Sequence, residues 1–91
     1  MPSYLIETYL ARGAAGECAA RERQARSAAE ELTRQGTRVR FDRAIHVPED
    51  EICFFVFDAP SSLEAVLLAE RAGLDHLRVV EAFPSGEEYR S

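Results

Sequence analysis

The chain has 91 residues, which is enough for one domain with a single modest core and too few for two. Its hydrophobic fraction of 46% and its charged fraction of 30% are those of an ordinary soluble globular protein. The formal net charge of −5 argues against nucleic acid as a partner, because binding to phosphates depends on Lys and Arg. The sequence shows neither a signal-peptide pattern nor an apolar run near the ~20 residues of a membrane span. We therefore expect a cytoplasmic protein without membrane contact.

The first third of the chain predicts a strand followed by a long helix. Tyr4–Leu10 is short and rich in β-branched and aromatic residues, which favours a strand. Residues 14–35 are good helix formers without proline, and Gly36 supplies a stop. One stripe of mostly small side chains is expected to face the sheet: Cys18, Ala25, Ala28, Ala29 and Leu32. Acid-before-arginine spacing of four residues predicts three ion pairs on this helix: Glu17/Arg21, Glu22/Arg26 and Glu30/Arg34.

The middle of the chain predicts a β-hairpin. Apolar and polar residues alternate over 39–47, which is the periodicity of a strand with one buried face. The polar stretch Pro48–Glu51 then forms a turn, and Ile52–Phe57 is an unbroken apolar run. A strand that is apolar on both sides must be covered on both faces of its sheet.

A second helix and a last strand complete the pattern. Ser61 and Glu64 have the spacing of a capping box at a helix start, and Gly73 ends the helix. Its buried side is expected to carry the larger apolar residues, namely Leu63, Val66, Leu67 and Leu74. Residues 77–83 predict the last strand of a single domain that spans 1–84, and a polar tail covers 85–91.

The order strand, helix, strand, strand, helix, strand predicts a ferredoxin-like α+β sandwich. Right-handed crossovers place both helices on one face of an antiparallel four-stranded sheet with strand order 4-1-3-2. The other face would be bare in a monomer, although the third strand is apolar on both sides. A bare apolar sheet face is larger than a monomer usually exposes, so we expect a homodimer formed through the sheet faces.

Two glutamates in strand centres are the first candidates for chemistry. Glu7 and Glu81 belong to strands that are neighbours in the predicted order, where removing a carboxylate from water is costly. Two nearby carboxylates can share a proton or bind a cation. The structural alternative is that each glutamate reaches solvent or pairs with an arginine such as Arg40, Arg43 or Arg78.

Histidine, tyrosine and arginine side chains supply weaker candidates. His46, with Asp50 or Glu51, would contribute part of a metal site, although a surface histidine without HxH or HxxxH spacing is the simpler interpretation. Tyr4, Tyr9 and Arg43 are candidates to contact a ligand or cofactor in the dimer cavity, and aromatic packing is the alternative for the tyrosines.

The chain matches none of the common catalytic motifs, and no catalytic residue is predicted. The chain has no glycine-rich phosphate loop and no GxSxG, HExxH or CxxC motif. Cys18 and Cys53 lack metal-site spacing and are expected to be reduced and buried. The sequence therefore favours a binding protein over an enzyme, without excluding an enzyme.

Four short motifs together resemble a known family. They are Tyr4-Leu5-Ile6-Glu7 with Tyr9-Leu10, then Phe55-Val56-Phe57-Asp58-Ala59-Pro60-Ser61, then Arg71-Ala72-Gly73-Leu74, and finally Arg78-Val79-Val80-Glu81. Over nearly its whole length the chain resembles the small bacterial nickel-binding ferredoxin-like proteins. The resemblance implies a homodimer with nickel or another divalent transition metal bound at the dimer, and Glu7 and Glu81 match its acidic positions.

Two departures from that family pattern lie at positions relevant to metal. Such proteins carry a histidine in the second helix, and Leu63–Gly73 contains none, while Phe41 stands in place of a motif Trp. The leading expectation is a small homodimeric binding protein for a divalent metal or small ligand. The alternative is a dimeric α/β-barrel enzyme, monooxygenase- or isomerase-like, that uses a glutamate base on a small organic substrate.

Overall fold

Four strands and two helices follow in the predicted order in the computed structural model, which describes residues 1–83. The elements are β1 (Ser3–Tyr9), α1 (Ala15–Arg34), β2 (Arg40–Val47), a 3₁₀ turn (Pro48–Asp50), β3 (Ile52–Asp58), α2 (Ser62–Arg71) and β4 (His76–Ala82). The strands form one antiparallel sheet in the order β2-β3-β1-β4, so the predicted ferredoxin-like topology is confirmed. The predicted tail, 85–91, lies outside the described residues. Within residues 1–83, no helix is both long and apolar enough to cross a membrane.

The pleat gives the sheet two different faces. Side chains of β1 and β3 alternate between fully buried and half-buried, because successive residues in a strand point to opposite sides. The buried set faces α1 and α2 and includes Ile6, Phe55 and Phe57, each 0% exposed. We call this the helix side. The half-buried set, on the surface that no described element covers, forms the open face.

The cap of α2 is the predicted one, but its buried side matches the prediction only in part. Ser61 is the N-cap and accepts a hydrogen bond from the Leu63 amide, while its hydroxyl also contacts Glu64. The residues packed on the sheet are Ala65, Leu68 and Ala69, and Leu63 is 78% exposed. The expectation that Leu63 and Leu67 are buried was therefore wrong, whereas Leu74 is buried as expected. The buried stripe is formed by residues 65, 68, 69 and 72, which recur at helical spacing, and it turns Leu63 and Leu67 outward.

The apolar stripe of α1 is confirmed, whereas two of its three predicted ion pairs are not formed. The stripe from Cys18 to Leu32 is buried against the sheet. Arg21 lies 2.5 Å from Glu17. Among residues 1–83, neither Glu22/Arg26 nor Glu30/Arg34 forms an ion pair within 4.0 Å. Spacing of four residues permits a contact, but other partners compete for a long exposed side chain.

Candidate functional site

A single carboxylate lies near the middle of the open face. The strand register aligns Ile45, Phe54, Glu7 and Arg78 in one row across β2, β3, β1 and β4. The Glu7 side chain is only 18% exposed, and its Oε1 accepts a hydrogen bond of 3.0 Å from Arg78 Nε. Within a single chain, Glu7 therefore pairs with Arg78, one of the arginines expected as its structural partner.

The neighbouring row makes most of the open face apolar. Val56, Leu5 and Val80 are aligned on β3, β1 and β4, and all three are half-buried. Arg43 occupies the β2 end of this row, where it lies 3.3 Å from Asp42. Tyr9 belongs to the row on the other side of Glu7 and is 55% exposed. The open face therefore carries three of the predicted site residues, Glu7, Tyr9 and Arg43.

An ion pair between the buried Asp58 and the exposed Arg40 closes one end of the open face. Asp58 accepts hydrogen bonds from the Ser3 hydroxyl at 2.7 Å and from Arg40 Nε at 2.9 Å. Burial opposes ionisation of this carboxyl, but the bonds from Ser3 and Arg40 outweigh it and hold the pKa of Asp58 below its ordinary value. These contacts join β1, β2 and β3, so Asp58 is occupied structurally.

The other three predicted site residues lie on the helix side. Tyr4 is aligned with Glu81 and is buried, while Glu81 is at the exposed edge of β4. Burial, together with the nearby carboxylates of Glu81 and Glu64, raises the pKa of Tyr4. His46 is aligned with Cys53, and its Nε2 is buried without a hydrogen-bond partner among the described residues.

The expected pairing of Glu7 with Glu81 is not found within the chain. Glu7 is aligned with Arg78 and Glu81 with Tyr4, so the two carboxylates point to opposite faces of the sheet. Residues 1–83 contain no group of three or more His, Cys, Asp or Glu side chains that could hold a metal ion. One protomer therefore does not fit nickel, for which imidazole is a suitable ligand, because Glu7 lies near the middle of its open face without a histidine beside it and Asp58 is already bound by Ser3 and Arg40.

The contact between Cys18 and Cys53 was not predicted from the sequence. Cys18 of α1 and Cys53 of β3 are both reduced and buried, as predicted, but their Sγ atoms are only 3.6 Å apart. Burial, followed by the contact with Cys18, raises the pKa of Cys53 to about 12. No motif could have indicated this contact, because the two residues are 35 positions apart and meet only when α1 packs on the sheet.

Comparison with known proteins supports the fold and does not indicate a function. No protein-family model matches the chain, and no curated protein matches it. The chain is similar in structure to SCO4226 from Streptomyces coelicolor A3(2), for which a crystal structure is known. The TM-score is 0.69 and the sequence identity is 20%, and the match covers 91% of this chain and 98% of that one. At this identity the similarity shows a shared fold.

Proposed function

We propose that the protein is a homodimeric binding protein whose two open faces pack together around a small cavity. The observation that carries this proposal is the composition of that face. Its central rows are apolar and half-buried, through Leu5, Phe54 and Val56, and they surround one shielded carboxylate, Glu7. Apolar surface of this extent favours burial against a second surface.

A two-fold dimer places every residue of the face in the interface twice. A face that is self-complementary in its apolar rows can pack on a copy of itself without a different partner. The cavity would then be lined by Glu7, Tyr9 and Arg43 from both protomers. The two Glu7 carboxylates, one from each protomer, would contact the ligand. Asp58 is not available for this role, because Ser3 and Arg40 already bind it.

The ligand class follows from this lining. A divalent cation would replace Arg78 as the partner of Glu7, and oxygen ligands from two carboxylates would suit a small hard cation better than nickel. Nickel is the ion that the family resemblance implies. We therefore propose a divalent cation or a small polar molecule, bound through Glu7 without covalent chemistry.

Isothermal titration calorimetry on chelator-treated protein tests this proposal. We expect heat on titration with Mn²⁺ and weaker binding of Ni²⁺. We expect Glu7→Gln to weaken Mn²⁺ binding by about tenfold or more, because it removes a negative charge from the site. Glu81→Gln is the matched control, because it makes the same change on the helix side and should bind as the wild type does.

Two results would overturn the metal assignment. One is the absence of heat at millimolar metal, and the other is equal weakening by both variants. Native mass spectrometry of the purified protein then shows whether a small organic molecule is bound instead of a metal ion. A small organic molecule retained by the wild type and lost in Glu7→Gln would favour the substrate cavity of the alternative enzyme.

A further inference from the structure

A second surface, away from the open face, combines an apolar floor with clustered arginines. A groove of about 760 Å³ runs between the C-terminal half of α1 and the edge strand β2. Its volume is within the range of small-molecule sites. Its floor includes three buried apolar side chains, those of Ala29, Val39 and Phe41. This floor belongs to the helix side, so the groove does not depend on the proposed dimer.

The charge of the groove is opposite to that of the whole chain. Four arginines and one glutamate line it, in a protein whose net charge is −5: Arg26, Arg34, Arg38, Arg40 and Glu30. Arg40 is neutralised by Asp58. Within residues 1–83, the other three arginines form no ion pair. The groove thus keeps an excess of positive charge.

Interactions within the fold explain only part of this cluster. Arg26 lies over the ring of Phe41, with its guanidinium carbon 5.0 Å from the ring centroid, which holds it above the floor. Arg34 lies in the last turn of α1, where a cation interacts favourably with the helix dipole. Arg38 follows the helix and has neither explanation. Arg34 and Arg38 both line the groove, and a bound anion would neutralise their charge.

We infer that this groove binds a small amphipathic anion. Its carboxylate would be held by Arg34 and Arg38, and its apolar body would lie on Val39 and Phe41. The guanidinium group presents parallel N–H donors that match the two oxygens of a carboxylate. The mostly apolar lining of the groove favours an occupant with an apolar body over a bare inorganic ion, which would leave that lining in contact with water.

Titration of the full-length protein with decanoate, followed by amide NMR shifts, tests this inference. We expect saturable shifts at Thr33, Val39 and Phe41, which line the groove. Decanol has the same chain without the charge and should bind about tenfold more weakly, while acetate has the charge without the chain and should cause no saturable shifts. Decyltrimethylammonium, which reverses the charge, should not bind there.

Arginine variants inside and outside the groove provide the matched comparison. Arg34→Gln should weaken decanoate binding by about tenfold, and so should Arg38→Gln. Arg23→Gln changes the same charge on α1 but lies outside the groove, so its affinity should equal that of the wild type.

Four outcomes would overturn the inference. Equal affinity for decanoate and decanol would mean an unselective apolar surface, and equal loss in Arg23→Gln would mean a general charge effect. Binding to vesicles of anionic phospholipid, with none to decanoate, would assign the arginines to a membrane surface instead. Shifts confined to Leu5 and Phe54 would move the ligand to the open face and support the proposed cavity, so the two proposals are tested separately.

Discussion

Glu7 and Glu81 lie on neighbouring strands and on opposite faces of the sheet. In the β1–β4 register, Glu7 is aligned with Arg78 and Glu81 with Tyr4. Arg78 and Glu81 are separated by an odd number of positions, and an odd step along a strand reverses the face. The two carboxylates therefore have separate partners, and removing one should leave the surroundings of the other unchanged.

The titration of Tyr4 tests this assignment of faces. Burial and the carboxylates of Glu81 and Glu64 raise the pKa of Tyr4. Glu81→Gln removes one of these negative charges, so the phenolate becomes easier to form and the pKa of Tyr4 should fall. Glu7→Gln, on the other face, should leave it unchanged. The measurement is ¹³C NMR of the tyrosine ring as a function of pH, and a larger shift in Glu7→Gln would contradict the register.

The packing of α2 predicts that an alanine matters more than a leucine. Ala65 is 0% exposed and faces the sheet, whereas Leu63 is 78% exposed. Ala65→Leu should overpack this contact and lower the free energy of unfolding by about 1–3 kcal/mol. Leu63→Ala should change it by less than about 0.5 kcal/mol. Urea unfolding of both variants measures the difference, and the reverse order would mean that the helix is rotated about its axis.

Asp58 makes stability depend on acid pH. Its pKa is lowered in the folded protein, so folding favours the charged carboxylate, and this contribution is present above the ordinary value of 3.8. As pH falls through the folded pKa, the carboxylate is protonated and the contribution is lost. Asp58→Asn should cost about 1–3 kcal/mol at neutral pH, because a charged hydrogen-bond acceptor is removed from Ser3 and Arg40.

The control for Asp58 is a surface carboxylate on the same sheet. Asp42 pairs with Arg43 at 3.3 Å, and both side chains are at least one-third exposed. Asp42→Asn should therefore change stability by less than about 0.5 kcal/mol. Unfolding followed by circular dichroism between neutral and acid pH compares the two variants. Equal stability of Asp58→Asn and the wild type at neutral pH would contradict the role assigned to Asp58.

The Cys53 thiol should be inert in the folded protein. Its pKa is raised to about 12, and the thiolate is the species that reacts with alkylating agents. Because the unfolded chain ionises this thiol near 9.0, the stability that the protonated form contributes should be lost as pH rises from there towards 12. Iodoacetamide at pH 8, followed by mass spectrometry, should leave Cys53 unmodified until denaturant is added. Rapid modification of the native protein would show that α1 does not cover it.

The fold could be predicted from the sequence because each element carries its own local signal. The alanine stripe of α1, the Ser61 cap and the polar turn before Ile52 all indicate structure within a few residues of themselves. Pairing order then follows from the handedness of the two crossovers. Dimerisation through the open face has no such local signal and stays a prediction.

The candidate site was harder to predict because it depends on which face each side chain takes. In β1, apolar residues stand on both faces, so periodicity alone could not place Tyr4 on the helix side or Glu7 on the open face. The same ambiguity affected α2, where leucines and alanines both recur at helical spacing. The groove was not predicted from the sequence, because α1, with Arg26 and Arg34, meets Phe41 only through tertiary packing.

The central claim, that the open face is buried between two copies of the chain, is tested most directly by sedimentation equilibrium. We expect the wild type to have twice the 10.2 kDa mass of one chain. Val56→Asp places a charge in the middle of the open face and should give a folded monomer, while Leu67→Asp, on the outer side of α2, should remain a dimer. A monomeric wild type at high protein concentration, or a dimer that survives Val56→Asp, would contradict the claim.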